Sequence, residues 1–266
     1  MLALLKRNFL LYARNRSGVF FSLLGALISF LLYIIFLQKN LTDAWSQLPD
    51  NTSLLNNWLM GGTLAVTGIT TSFAALTQMV QDRENQVDQD LFLTDLGRWG
   101  LELSYLISSF VISFVMQVFM FIIMSLYFQE IPVMSHLLEI SLLMLLSSLL
   151  STLVNALLIY HFQSVDSLGK LATIIGTASG FLVGTYVPMG ILPNFAQVLM
   201  KCTPATYIAS LYRQVLMREQ LDSTFMGNNS LLEEFQEKLG VQIHWQELLT
   251  KEETYLIVVS ICLLTF

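Results

Sequence analysis

The stretch LSYLISSFVISFVMQVFMFIIMSLYF, Leu103 to Phe128, contains no Asp, Glu, Lys or Arg from end to end. As a helix rising about 1.5 Å per residue it can cross roughly 30 Å of hydrocarbon. It lacks the continuous polar face that a helix on a soluble core would keep toward water. Similar blocks recur at about 18–37, 58–80, 138–160 (uncharged from Ile140 onward) and 171–188, separated by short polar segments. A sixth runs over 254–266 and is too short to span, so the last helix is expected to be truncated in this sequence. Hydrophobic residues make up 55% of the chain and charged residues 12%, and mean hydropathy is +0.64. A soluble domain carries about 25% charged residues. The expected fold is therefore an all-α polytopic membrane protein with six transmembrane helices.

The flanks set the orientation. Residues 1–16 read as an interfacial amphipathic helix: Leu2, Leu5, Phe9 and Tyr12 recur at helical spacing, while Lys6, Arg7 and Arg14 fall elsewhere and suit anionic lipid. With the N-terminus cytoplasmic, Lys6, Arg7, Arg14, Arg16, Arg83, Arg98 and Lys170 are all inside, and Lys39 alone among the short external loops is misplaced. The membrane domain then spans 17–266, with 218–253 as an external segment. Within that segment Phe225, Leu231, Leu232, Phe235 and Leu239 predict a small amphipathic helix over the outer mouth. Three N-x-[ST] sequons, at Asn40, Asn51 and Asn228, fall in external segments and are what polar loops yield by chance.

Several chemistries are missing. No charged side chain lies inside the apolar cores of the first five blocks, which argues against ion-coupled transport and against a charged-ring channel. Gln117 and Asn155 read as bonds between helices. No G-x-x-x-x-G-K-[ST] loop, H-E-x-x-H or G-x-S-x-G occurs, so the chain neither cradles ATP nor carries a catalytic or metal site of those kinds. Cys202 and Cys262 form no C-x-x-C, and no basic patch interleaved with aromatics points to nucleic acid. Any energy for transport has to come from a partner.

Three features stand out instead. Gly176, Gly180 and Gly184 repeat every fourth residue, a small-residue face for helix packing or a dimer interface. Pro188 and Pro193 break the fifth block, so 186–200 reads as a span end and a short re-entrant helix, followed after Pro204 by an amphipathic piece from Thr206 to Met217. The cytoplasmic segment Gln81 to Asp95 is polar at first and then carries Leu91, Phe92 and Leu93. A short helix inserting that apolar end into a cytoplasmic partner explains it better than a free loop.

At these residues the chain resembles the membrane (permease) subunit of type-2 ABC exporters, the ABC-2 family. The resemblance rests on the basic helix before span one, on Arg83-Glu84 opening the loop after span two, and on Gly184-Thr-Tyr-Val-Pro-Met-Gly-Ile-Leu-Pro193. Thr203-Pro204-Ala-Thr-Tyr207 and Tyr212-Arg213 complete it. The glycine that often follows Arg-Glu is absent, as is the proline usual in Thr94-Asp-Leu-Gly97. The resemblance implies a separate ABC ATP-binding subunit holding ATP and Mg, with no cofactor bound by this chain. A second permease copy, as homodimer or with a homologous permease, is implied too. It assigns Arg83, Glu84, Leu91, Phe92 and Leu93 to coupling with the ATPase, and Pro188, Pro193, Pro204 and Tyr207 to an outer gate. The substrate path would lie near spans one, two and five.

The resulting expectation is a permease exporting a lipidic or amphipathic compound, such as a drug, lipid-linked molecule, peptide or haemolytic toxin, through the plasma (cytoplasmic) membrane of a bacterial cell. A non-transporting membrane assembly or binding factor is the alternative.

Overall fold

The computed structural model describes residues 1–93, 97–130, 134–225 and 228–265. Among the described residues every regular element is helical, as the uncharged blocks predict. Helix α1 (Leu2–Arg14) lies ahead of α2 (Arg16–Leu32), whose first turn is capped by the Asn15 side chain accepting from the Gly18 N–H at 2.9 Å. A π-helical segment, Tyr33–Leu37, and α3 (Gln38–Ala44) continue the same helical run. Then come α4 (Asn51–Glu84), α5 (Val87–Phe92), α6 (Gly97–Phe128), α7 (Met134–Tyr160) and α8 (Val165–Leu182). After a 3-10 turn at Met189–Ile191 the chain forms α9 (Asn194–Lys201), α10 (Pro204–Leu216), α11 (Arg218–Thr224), α12 (Asn229–Leu239) and α13 (Lys251–Thr265).

Four of these runs are long and apolar enough to cross a membrane: 16–44, 51–84, 97–128 and 136–160. They overrun the expected blocks because their polar ends stay helical beyond the apolar part. The six-span expectation is met only this far. Helix α8 has 18 residues and includes Asp166 and Lys170, and α13 has 15.

Helix α4 is the centre of the bundle. Of its apolar window 83% is buried, against 33% for the first and third runs. Its small residues allow this. A Cβ on Gly62 would stand 2.2 Å from the Thr185 hydroxyl, and one on Gly68 would stand 3.0 Å from that of Ser147. Thr67, Thr71 and Ser72 return their hydroxyls to carbonyls of the preceding turn, so they sit in the apolar interior without orphaned donors. Between helices, Gln117 donates to Ser148 at 2.7 Å and accepts from Tyr212 at 2.6 Å; Asn155 donates to the Ile69 carbonyl at 2.9 Å. Such bonds are worth about 0.6 kcal/mol each on average in membranes. Together they hold α4, α6, α7 and α10 as one block.

The apolar core has three storeys. A middle cluster joins Met60, Leu64, Met120, Met144 and Tyr212. At the end that holds the N-terminus, here called basal, Leu4, Phe73, Leu76, Leu101 and Ile159 meet. At the opposite, apical end, Tyr33, Trp45, Trp58, Phe225 and Phe235 form the third cluster. The residues expected to make one external amphipathic helix are thus divided. Phe225 follows α11, while Leu231, Leu232, Phe235 and Leu239 lie on α12, with Phe235 and Leu239 buried over the start of α4.

Candidate functional site

The basal end is tied together at Asp82, which is buried at the end of α4. Both guanidinium nitrogens of Arg7 donate to its carboxylate, at 2.7 and 2.9 Å, and the Tyr105 hydroxyl and Gln78 amide donate to it as well. Helices α1, α4 and α6 therefore meet at one carboxylate. The pairing holds the Arg7 guanidinium above its ordinary range. Arg7 was expected to face lipid headgroups; the structure turns it inward instead, because a bidentate carboxylate fits its planar fork. Asp82→Asn is expected to lower stability by about 1–3 kcal/mol, read as a fall in the unfolding temperature of the purified chain in lipid nanodiscs. The value sits below that for a fully buried pair because the Arg7 side chain remains 29% exposed.

Arg83 and Glu84 also act within the chain. The Arg83 Nη1 donates to the carbonyls of Tyr160 and Phe162 at 3.4 and 3.3 Å, and Glu84 accepts from the Val165 N–H at 2.9 Å. They clamp the end of α4 to the connection between α7 and α8. Their contacts position the basal surface, and α5 projects from that surface immediately after them. In α5, Leu91 packs against the basal core, while Phe92 is 37% exposed and Leu93, just past the helix, is 86% exposed. Trp99, at the start of α6, is exposed to the same degree. The end of the expected coupling segment, Thr94 and Asp95, lies outside the described residues.

At the apical end the prolines frame the turns that follow α8. Pro188 precedes the 3-10 turn, Pro193 precedes α9, and Pro204 opens α10 at a position where its missing N–H costs nothing. The Tyr207 hydroxyl donates to the Lys201 carbonyl at 2.8 Å and accepts from the Trp245 indole at 3.1 Å, joining α10 to α9 and to the segment before α13.

Arg213 on α10 is the buried charge of this end, at 1% exposure. It donates to the carbonyls of Val183, Gly184 and Gly240 at 3.0 to 3.2 Å, and to that of Trp58 at 3.4 Å. Its guanidinium also lies 4.8 Å from the Trp58 ring centroid. No carboxylate pairs with it among these contacts. Val183, Gly184 and Gly240 stand at the C-terminal ends of α8 and α12, where carbonyls lack helical partners and the helix dipoles are negative. Two helix ends thus serve as its counter-charge.

The three glycines separate. Gly180 receives the Tyr186 ring, which a Cβ would meet at 2.2 Å. Gly184 is not on the helix, which ends at Leu182; its φ of +71° makes it the turn residue that aims its carbonyl at Arg213. A Cβ on Gly176 would meet nothing within 4 Å, so this glycine faces open space. Close packing in this region comes from Gly25 of α2, where a Cβ would stand 3.0 Å from the Gly176 carbonyl.

Sequence reasoning missed Asp82, because an acid six residues before the Asp88-Gln-Asp90 run looks like one more solvated charge. Its signal was the helical spacing Gln78, Asp82 at the basal end of a long apolar helix, opposite a basic leading helix. The burial of Arg213 was signalled only by its place beside Tyr212 in an amphipathic helix.

A comparison with protein families matches residues 1–217 to the family model for ABC-2 type transporters. Neither the curated proteins nor the solved structures contain a significant match. The match covers the basal network, all four long helices, the proline-framed turns and Arg213. The chain is a member of the ABC-2 type transporter family, a multi-pass membrane protein and the transport subunit of such a system.

Proposed function

We propose that this chain is the permease of an ATP-driven exporter whose energy enters from a separate ATP-binding subunit docked on the basal surface. That subunit holds ATP and Mg. The observation that carries the reading is the apolar pair Phe92 and Leu93, exposed where α5 ends, on the same end of the bundle as the N-terminus. Exposed apolar side chains beside a rigid clamp (Arg7, Asp82, Arg83, Glu84) suit a coupling contact: the clamp passes a push on α5 into α4, the centre of the bundle.

Lys6, Arg83, Arg98 and Lys170 gather at this end, which supports a cytoplasmic N-terminus in a bacterial plasma membrane. Helices α8 and α13 complete six spans, with α9 and α10 as re-entrant helices gating the outer mouth, 1–16 as the interfacial helix and 17–266 as the membrane domain. Two copies, or this chain and a homologous permease, enclose a path for a lipidic or amphipathic compound along α2, α4 and α8. Purification from the native host in mild detergent tests the reading. An ATP-binding protein with a phosphate loop should co-purify, with Mg-ATP hydrolysis in the eluate; a chain that elutes without one contradicts it.

A further inference from the structure

A cavity of about 250 Å3 opens between α1, α2, α4 and α8, toward the basal end. Its wall is mixed: Asn8 and Tyr12 from α1, Ser22 from α2, and Thr77, Gln78 and Gln81 from α4 set polar groups among apolar side chains such as Phe73 and Ile175. Its rim carries two exposed apolar side chains, Leu11 and Phe21. None of its described lining residues is an Asp, Glu, Lys or Arg. Arg7 and Asp82, on two of these same helices, neutralise each other. Among the described residues the Gln81 side-chain amide has no hydrogen-bond partner, and Gln78 uses only its Nε2, on Asp82. Free amide groups can both donate and accept. Gly176 borders the cavity and leaves its side open.

We propose that this cavity receives the uncharged, hydrogen-bonding headgroup of an amphiphile, a sugar or an amide, whose hydrocarbon chain crosses the apolar rim and stays in the bilayer. The substrate class rests on the transport reading above. A charged head would leave water for a wall without a counter-charge, which is costly, whereas hydroxyls and amides find both donors and acceptors there. The volume is below the roughly 300–1,000 Å3 usual for a drug-sized ligand, so a headgroup fits and a whole amphiphile does not.

The test uses the full chain in nanodiscs and three probes that share one dodecyl chain, carry a photoreactive diazirine on the carbon next to the head, and differ only in the head: maltosyl, phosphate or trimethylammonium. Illumination followed by peptide mass spectrometry should place the maltosyl probe on residues 70–81 and 172–176, at least about tenfold above either charged probe. Gly176→Trp fills the cavity and should abolish that labelling. Gln81→Glu, which leaves the wall's shape intact, should move the preference toward the trimethylammonium probe. Equal labelling by all three heads, or an unchanged preference in Gln81→Glu, overturns the proposal. Labelling that vanishes whenever the chain is dimeric assigns the cavity to a second copy and overturns it too. No ATP-binding subunit is present in this experiment, so its failure leaves the transport reading to stand or fall on co-purification.

Discussion

Arg213→Met is expected to lose roughly 3–5 kcal/mol of stability, enough to leave little folded protein in the membrane. Methionine fills much of the arginine's volume, so the loss does not come from a cavity. It comes from the carbonyls of Val183, Gly184 and Gly240, which lose a donor in a region closed to water. Each buried acceptor left unpaired costs about 1–3 kcal/mol. Replacing a buried ion pair by apolar residues is often neutral because both partners go; here the acceptors are main chain and remain. Arg213→Lys keeps the charge but not the planar fork, and is expected to fall between the two. Thermal unfolding in nanodiscs, followed by cysteine accessibility at the buried Cys262, checks the order wild type, Lys, Met. Equal stability of all three would show that the helix ends do not need this donor.

The second large effect is on coupling. Replacing Leu91, Phe92 and Leu93 with serine should weaken the complex with the ATP-binding subunit by about thirtyfold or more, as expected for an apolar hot spot worth 2 kcal/mol or above. Stimulated ATP hydrolysis should fall with it. Because Leu91 also packs on the basal core, the pair Phe92→Ser and Leu93→Ser is the cleaner variant. Both of its side chains are exposed, so the unfolding temperature of the permease alone should not move. A complex that survives the double change with full hydrolysis would remove α5 from the coupling path.

Much of the fold was legible in the sequence because membranes demand uncharged length, and composition records length directly. The blocks at 58–80 and 103–128 needed no tertiary information. The polar extensions Asn51 to Asn57 and Gly97 to Glu102 did, since they are held by tertiary packing, with Leu54, Leu55 and Leu101 buried, and such packing leaves no apolar run in the sequence. The π-helical segment at Tyr33–Leu37 was also illegible: it is set where Tyr33 turns in to donate to Asn56 at 3.0 Å, a contact with a residue on another helix. Proline punctuation marked the turns around α9 and α10, because a lost N–H is a local fact. Gly176, Gly180 and Gly184 looked alike in sequence and differ in space. Spacing fixes a shared face only while the helix continues, and this one ends at Leu182. Asp82 and Arg213 show the same limit for charge. What each pairs with, the leading helix or two helix ends, is decided by folding and carries no local signature.

The central claim is that energy enters this chain at α5. A photoreactive benzophenone attached at Leu93→Cys, in the full chain purified with its ATP-binding subunit and illuminated in the membrane, tests it most directly. The account predicts one dominant cross-link, to a protein bearing a G-x-x-x-x-G-K-[ST] loop. Cross-links only to lipid or to the permease itself, while the ATP-binding subunit remains bound and active, would contradict it.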